Sequence, residues 1–581
     1  MSDGRRYRVL GAAVLVLVVA PLALAARWRW AATADGPQLR PRPDALEYAA
    51  AAQAIAAEGR YYLQVGPYRV RPRYPPGWPM VLAAAVRLGV AGDRLWRVTG
   101  VFGAGLASLL ALLAASAVWR RAGRQGSRAA AGALAAGLAV GVGWALAPAA
   151  VAVGRTALGD EPAAFVAGLF MLGTWLAAKP SAMPQPLVTG DERAAPPRDG
   201  VDVVDRPAAP RAGAAVASEP GPQRQAIARE AELAPASDFA AREGRPIFAA
   251  RAAAAGGGLA FGLLAGMRPA SALLFAPAAV VFAGYGWRAL GGRELLRRAA
   301  MWGCGAAVVP LLVAGLLWRS QLPPWEWSGY RYWAPRWYQA TGTTFNLRYA
   351  LHGSGPFTRG PGGRPIPNLR YYAEILLGLP GLSPDSYLGR WWPSLGWLAG
   401  LLLAWRRRRH PAVAAAVLAA AAATAAHLVF YSLYFFPAAR FLLPVMPLPL
   451  LAAGVACGLG IAGPDAAAPG APGRPGSACI RLGAGLAAAG LVAAAVAGFA
   501  AFRSMPVPAF PHQDVRAAFA AWRQLPEPAR AAIVMPFDPV EAQALGLLPP
   551  PVARQIRIWG TLPPTIHVRR LRALGLIPAR Y

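Results

Sequence analysis

Apolar runs recur along the whole chain, and shorter polar segments rich in arginine separate them. An α-helix of about 20 apolar residues crosses the hydrocarbon core of a bilayer, so each run of that length predicts one membrane span. The pattern predicts eleven spans, of which the eighth ends just before Trp405. The other ten lie near residues 9–26, 95–119, 129–151, 162–178, 249–267, 270–287, 301–318, 413–436, 441–461 and 482–502.

The arginine-rich segments predict the orientation of these spans. Short basic segments beside a span stay on the cytoplasmic side of the membrane. An N-terminus in the cytoplasm puts RRAGRQGSR (120–128), RALGGRELLRR (288–298) and WRRRRH (405–410) on that side. The first run is expected to remain in place as a signal anchor. The predicted location is the plasma (inner) membrane, with the loops of the opposite face pointing outward.

The polar segments divide the chain into four parts. Residues 1–178 are predicted to form an N-terminal transmembrane module with a long first outer loop, and 247–502 a C-terminal transmembrane module. Between them, 179–246 is rich in Pro, Ala and charged residues and predicts a disordered cytoplasmic linker. An outer loop at 319–390 is crowded with Trp, Tyr and Arg, as is typical of the membrane interface. Residues 503–581 predict a small extracytoplasmic domain of mixed α/β type.

Composition supports an integral membrane protein and argues against a nucleic-acid partner. Of the 581 residues, 56% are hydrophobic and 15% are charged, and the mean hydropathy is +0.36. The net charge of +32 comes from 58 arginines and one lysine. Clusters of these arginines lie in short loops between the apolar runs, where they orient spans rather than bind a polyanion. The three cysteines are not closely spaced and predict packing residues instead of disulfides or a zinc site.

Two acidic motifs fall on the predicted outer face. Asp44 and Glu47 are one helical turn apart at the start of DALEYAAAAQAIAAEG, which predicts an amphipathic interfacial helix. Asp160 and Glu161 stand just before Pro162, where the fourth span begins. Each motif has a purely structural alternative. Asp44 would serve only as an N-cap. Asp160 and Glu161 would only stabilise the start of the fourth span, where the helix dipole is positive.

Cationic and aromatic residues share the same predicted face. Candidates for binding a phosphate or another substrate group are Arg73, Tyr74, Arg155, Arg268, His427, Tyr431 and Arg440. Arginine suits this task because its planar fork meets phosphate oxygens with charge-assisted hydrogen bonds. Ordinary anchoring at the interface is the alternative for each arginine. His427 and Tyr431 share one face of the ninth span, although the histidine would also be satisfied by a backbone carbonyl.

Five motifs follow one another along the chain in this order: PDALEY, RYPPGWP, RTALGDEP, GMRPASALLFAP and ARFLLPVMPLP. Their order, spacing and sidedness resemble the polyprenyl-phosphate-sugar glycosyltransferases of the GT-C superfamily, and most of all the protein mannosyltransferase and lipid A aminoarabinose transferase branch. The resemblance implies an all-α polytopic membrane protein with juxtamembrane helices on its outer face. It places the catalytic acidic residue of the first outer loop at Asp44 and a second functional carboxylate at Asp160. The family's Asp-Glu pair is spread here as Asp44 and Glu47, so Glu47 is a third candidate catalytic residue, which would position Asp44 or only support the helix.

The implied reaction is transfer of a monosaccharide from a polyprenyl phosphate to an envelope acceptor, which could be a protein, a lipid or a polysaccharide. A carboxylate takes the proton of the attacking hydroxyl, and the phosphate leaves without needing an acid. Some members of the superfamily use a divalent cation, but no ligand set of diagnostic spacing is found here. A secondary transporter or flippase of an envelope precursor is the alternative function, and a scaffold that grips a partner with its aromatic loop is a third.

Overall fold

The computed structural model describes residues 3–32, 44–65, 68–72, 74–121, 126–154, 156–179, 236–321, 365–377, 411–433, 439–462 and 477–503, with a few positions between 396 and 402 and between 520 and 546. Within them the chain is almost entirely helical. The α-helices are α1 (Asp3–Ala32), α2 (Asp44–Glu58), α3 (Gly77–Arg87), α4 (Trp96–Arg121), α5 (Gly126–Ala145), α6 (Pro148–Gly154), α7 (Asp160–Ala178), α8 (Ala236–Met267), α9 (Pro269–Ala289), α10 (Gly292–Ser320), α11 (Pro365–Leu377), α12 (Pro411–Ser432), α13 (Pro447–Ala462) and α14 (Ser477–Arg503). Strands β1 (Leu63–Val65) and β2 (Tyr68–Val70) form an antiparallel hairpin in which Val65 faces Tyr68.

The predicted class of an all-α polytopic membrane protein is confirmed. Among the described residues, nine helices are long and apolar enough to cross a membrane. They are α1, α4, α5, α7, α8, α9, α10, α12 and α14. The tenth predicted span is represented by the shorter apolar helix α13, which follows a 3-10 turn at Ala439–Leu442. The predicted eighth span and the predicted domain at 503–581 lie largely outside the described residues.

Prolines explain two of the helix boundaries. The third predicted span, 129–151, is divided into α5 and α6, and Pro148 opens the second piece. Pro269 opens α9 immediately after Arg268, whose extended backbone (φ −153°, ψ 81°) makes a tight turn between two spans. Proline favours the first helical position because that position needs no N–H donor. Its ring also excludes the residue before it from helical backbone angles. Helix α8 begins at Ala236, inside the segment predicted to be a linker.

Small side chains let the spans pack closely. Alanine supplies many of the buried core residues, among them Ala107, Ala111, Ala136 and Ala167. Helix α8 packs against α7 and α10, and α5 packs against α4 and α13. In a bilayer, close packing of small residues is a main source of attraction between helices, because lipid tails are as apolar as leucine. The alanine-rich composition therefore favours a tightly packed bundle.

Two helices, α2 and α3, lie between the first and second spans, and α2 carries the first acidic motif. Helix α2 is buried along most of its length, and α3 has 11 residues and packs against it. Arg87 at the end of α3 donates from Nη2 to the carbonyl of Ile55 at 3.0 Å and from Nε to the carbonyl of Ala56 at 3.3 Å, and so ties α3 to the last turn of α2. At only 11 residues, α3 is too short to cross a bilayer, as the sequence predicts. From the far end of the chain, Gln543 donates to the carbonyl of Ala50 at 3.2 Å.

Contacts define two opposite ends of the bundle. At one end, the Tyr61 N–H after the first span donates to Ser320 Oγ, at the end of α10, over 2.7 Å. At the other end, Arg298 Nη1 near the start of α10 donates to the carbonyls of Ala177 (2.7 Å) and Lys179 (2.8 Å). Helix α10 therefore runs from the second of these ends to the first, whereas α7 finishes at the second. The first end, which holds the loop after α1, is the one at which the acidic motifs lie.

Candidate functional site

Asp44 is held by two side chains that come from distant parts of the chain. The Tyr74 hydroxyl donates to its Oδ1, and Arg440 Nη2 lies 2.8 Å from its Oδ2. Asp44 opens helix α2, where the positive end of the helix dipole also favours a carboxylate. Both oxygens of Asp44 thus have partners, one neutral and one cationic. The predicted candidates Asp44, Tyr74 and Arg440 come together in the structure.

Asp160 and Arg268 form a second carboxylate–guanidinium pair, in which Arg268 Nη1 faces Asp160 Oδ1. Asp160 opens α7, and the loop before it is fixed by Trp78 of α3, whose indole N–H donates to the carbonyl of Ala157 at 2.9 Å. Arg268 is held in the turn that Pro269 imposes. The structure therefore brings these two predicted candidates together as well.

Phe441 joins the two ion pairs. The guanidinium carbons of Arg268 and Arg440 each lie 5.4 Å from the centroid of its ring, within the range of cation–π attraction. Two like charges approach the same ring, and the carboxylates of Asp44 and Asp160 balance them. Phe441 was not among the candidates predicted from the sequence. Its only signal was its place next to Arg440 in the ARFLLP motif.

Arg440 pairs with Asp44 but retains a hydrogen-bond donor that this pairing does not use. Burial lowers the pKa of Arg440, but the charge and hydrogen bond of Asp44, together with the nearby Tyr74 and Tyr48, outweigh burial and raise the pKa above the ordinary value. Its Nη2 contacts Asp44, whereas its buried Nη1 has no hydrogen-bond partner among the described residues. A buried N–H donor without a partner costs free energy. Such a donor is suited to an anionic ligand oxygen.

Tyrosines surround Asp44 on the α2 side. The ring of Tyr48 lies 4.9 Å from that of Tyr74, and the Tyr61 hydroxyl donates to the backbone carbonyl of Tyr74. Burial, reinforced by the charge of Asp44, raises the pKa of Tyr48 well above the ordinary tyrosine value. Burial, reinforced by Glu47, does the same to the pKa of Tyr61. Both phenols therefore remain neutral over the physiological range.

Glu47 is buried on α2 and acts electrostatically on these tyrosines. Arg71 opposes the effect of Glu47 on the pKa of Tyr61. The structure thus places Glu47 among Tyr48, Tyr61 and Arg71. Arg71 was not among the predicted candidates.

His427 and Tyr431 lie on one face of α12, as their spacing predicts. His427 is buried, its Nδ1 lies 2.7 Å from the carbonyl of Ala423, and its ring packs against Phe275. Its buried Nε2 has no hydrogen-bond partner in the described part of the chain. Tyr431 stacks on Phe441 at 4.8 Å with an interplanar angle of 14°. Phe441 therefore connects Tyr431, and His427 beside it, to the two ion pairs.

Two predicted candidates, Arg73 and Arg155, lie outside the described residues. Among the residues that are described, no group of three or more His, Cys, Asp or Glu side chains is placed to hold a metal ion. The three cysteines are free.

A third ion pair, which the sequence does not predict, lies deeper in the bundle. Arg27 of α1 and Glu161 of α7 are both fully buried and pair with each other. Arg27 directly follows the first predicted span, so the sequence assigns it to the polar loop beyond that span. Only the fold shows that it turns inward.

No protein-family model and no curated protein sequence matches the chain. Solved structures do show similarity. ArnT from Cupriavidus metallidurans bound to undecaprenyl phosphate is 16% identical with a TM-score of 0.49, over 100% of this chain and 90% of that one. AglB, an archaeal oligosaccharyltransferase from Archaeoglobus fulgidus in complex with an inhibitory peptide and a dolichol-phosphate, is 12% identical with a TM-score of 0.43, over 90% of this chain and 59% of that one.

Both of these proteins are members of the GT-C superfamily. At these identities and TM-scores, the similarity assigns no substrate, residue role or activity to this chain. The site must be interpreted from its own geometry.

Proposed function

We propose that the protein is a membrane glycosyltransferase that moves a monosaccharide from a polyprenyl-phosphate donor to an envelope acceptor on the outer face of the plasma membrane. The observation that carries the proposal is the meeting of Asp44–Arg440 and Asp160–Arg268 on the ring of Phe441. Four separate loops contribute these residues at one end of the bundle. A base beside two phosphate-binding cations is what transfer from a lipid phosphate requires.

The proposed chemistry is a single displacement. A hydroxyl of the acceptor attacks the anomeric carbon, and the bond from that carbon to the phosphate oxygen breaks as the new glycosidic bond forms. Asp44 takes the proton of the hydroxyl, and the electron pair of the broken bond stays on the phosphate. Attack opposite to the leaving group inverts the configuration of the anomeric carbon.

The arginines would stabilise the leaving phosphate. Arg440 holds Asp44 through Nη2, and its unpartnered Nη1 is available to a phosphate oxygen at the same time. Arg268 lies over the same aromatic ring and adds a second positive charge. Because the site is partly buried, these charges act on the phosphate with less screening than in bulk water. Asp160 would hold Arg268 in place and position the acceptor.

The variant Asp44→Asn tests the proposal. Transfer is measured with the full chain in proteoliposomes, using undecaprenyl phosphate linked to radiolabelled mannose, arabinose or galacturonate and an envelope extract as acceptor. Removing the base is expected to lower the rate by about 100-fold or more. The thermal unfolding midpoint is measured alongside, because the change also removes the charge that pairs with Arg440.

Glu58→Gln is the matched control, because Glu58 lies on the same helix and pairs with Arg69 at 2.8 Å, outside the site. Its transfer rate should equal that of the wild type. Unchanged transfer by Asp44→Asn would exclude Asp44 as the base.

A secondary transporter or flippase remains the second candidate, and the buried Arg27–Glu161 pair favours it. Buried ionisable residues within spans often mark a transport pathway. The two functions differ in whether a bond is broken. A flippase would move labelled undecaprenyl-phosphate sugar across proteoliposomes with the donor intact, whether or not acceptor is present.

A further inference from the structure

The Arg27–Glu161 pair lies directly behind the candidate site. Arg27 Nε is 3.2 Å from both carboxylate oxygens of Glu161, and Nη2 also donates to Oε1. Nη1 donates to the carbonyls of Ala23 at 3.1 Å and Ala145 at 3.0 Å. This planar fork is satisfied on each nitrogen, so the position of Glu161 relative to α1 is closely defined.

Five helices meet at this pair. Arg27 belongs to α1 and Glu161 to α7, and Ala145 is the last residue of α5, where a cation offsets the negative end of the helix dipole. Gly103 of α4 and Gly154 of α6 leave the space that the pair occupies. A Cβ at either glycine would lie 2.3 Å from a carboxylate oxygen of Glu161.

Glu161 is the direct neighbour of Asp160 in the first turn of α7. Fixing the Glu161 side chain therefore limits how far this turn can rotate or slide. The position of Asp160 opposite Arg268 depends on the same turn. Arg268 in turn shares Phe441 with Arg440.

We propose that the Arg27–Glu161 ion pair is a positioning element, which holds the first turn of α7 so that Asp160 keeps Arg268 in place for the donor phosphate. This inference rests on the proposed function. A buried ion pair often stabilises a fold no more than apolar residues of equal size would, whereas its directional bonds fix a geometry. That property suits a pair behind a binding site.

A double-mutant cycle tests the inference, with undecaprenyl phosphate as the probe and the purified full chain in detergent. Binding is titrated by native mass spectrometry for the wild type, Glu161→Gln, Arg268→Lys and the double variant. Glu161→Gln is expected to weaken binding by about tenfold in the wild-type background. In the Arg268→Lys background its effect should fall below about twofold, because both changes disturb the same phosphate contact.

Glu294→Gln is the matched control. It disrupts the ion pairs of Glu294 with Arg251 and Arg298 at the opposite end of the bundle. Its binding of undecaprenyl phosphate should match that of the wild type, even where its unfolding midpoint falls as much as that of Glu161→Gln. A general loss of stability would weaken binding in both variants.

Each outcome decides the inference. Equal binding by wild type and Glu161→Gln, or a tenfold loss that persists in the Arg268→Lys background, overturns the positioning role and leaves the proposed function intact. A wild type that binds no undecaprenyl phosphate overturns both. For a Glu161→Gln variant that does not fold, Gly103→Ala takes its place in the cycle, because the added methyl displaces the pair and keeps both charges.

Discussion

Tyr48 lies between the charges of the candidate site and the packed face of α2. Its ring contacts Tyr74, and its pKa responds to Asp44, Arg268 and Arg440 together. Burial has the largest effect and favours the neutral phenol. At the residue scale, the site thus combines ion pairs with tyrosines that stay protonated.

Alkaline pH should therefore destabilise the fold through these tyrosines. A tyrosine in the unfolded chain ionises near pH 10, whereas burial holds the pKa of Tyr48 and Tyr61 above the ordinary value of 10.0. Above that pH the folded protein binds more protons than the unfolded chain, so stability falls as pH rises. Each such tyrosine contributes up to about 1.4 kcal/mol per pH unit.

The measurement is the unfolding midpoint in detergent between pH 9 and about 11.5, a range set around the tyrosine pKa. The double variant Tyr48→Phe/Tyr61→Phe should lose less stability across this range than the wild type, because phenylalanine does not titrate. If the unfolding midpoint falls with pH equally steeply in the two proteins, the alkaline effect does not come from these phenols.

At the element scale, the contact between α8 and α10 shows how small residues permit close packing. A Cβ built at Gly258 of α8 would lie 1.9 Å from the carbonyl oxygen of Trp302 and 3.0 Å from the amide nitrogen of Ala306. The backbones are therefore too close to admit even one methyl group. Two residues earlier, a Cβ built at Gly256 would have no neighbouring atom within 4 Å.

Gly258→Ala and Gly256→Ala form a matched pair on one helix. Gly258→Ala should lower the free energy of unfolding by about 1–3 kcal/mol, because α8 and α10 must separate. Gly256→Ala should leave stability unchanged or raise it by up to about 1 kcal/mol, since alanine favours helix over glycine. Equal unfolding midpoints for the two variants would contradict this account of the interface.

At the scale of the whole molecule, two contacts determine whether the number of membrane crossings between α10 and Arg440 is odd or even. Ser320 contacts Tyr61, and Arg440 contacts Asp44, so both residues lie at the end of the bundle that follows α1. An even number of crossings must then separate Ser320 from Arg440. Helix α12 provides one of them. A further crossing is therefore expected before α12, in agreement with the predicted eighth span.

Reporter fusions test this topology. Alkaline phosphatase joined after residue 345 should be active, since that position is predicted to face outward, and green fluorescent protein joined after 408 should fluoresce. Fusions after 124, in the predicted inner loop between α4 and α5, provide the inside control. The same reporter response after 345 and 408 would rule out a span between them and reverse the orientation of every later span.

The apolar pattern and the motifs were enough to predict which segments are membrane spans and which residues are candidates for chemistry. A span depends on the length and apolarity of one continuous segment, and these are local properties that the pattern displays directly. The same reasoning located the turn at Arg268, because Pro269 acts on its immediate neighbours. The candidates Asp44, Asp160, Arg268 and Arg440 followed from the motifs and their common sidedness.

Only the tertiary structure decided which candidates meet and what joins them. Asp44 and Arg440 are 396 residues apart, and no local pattern pairs one with the other. Phe441 gains its place because two guanidinium groups reach it from different turns, and Arg27 turns inward because Glu161 lies opposite it. Pairing across such distances depends on how the spans pack, and packing is a property of the whole bundle rather than of any one segment.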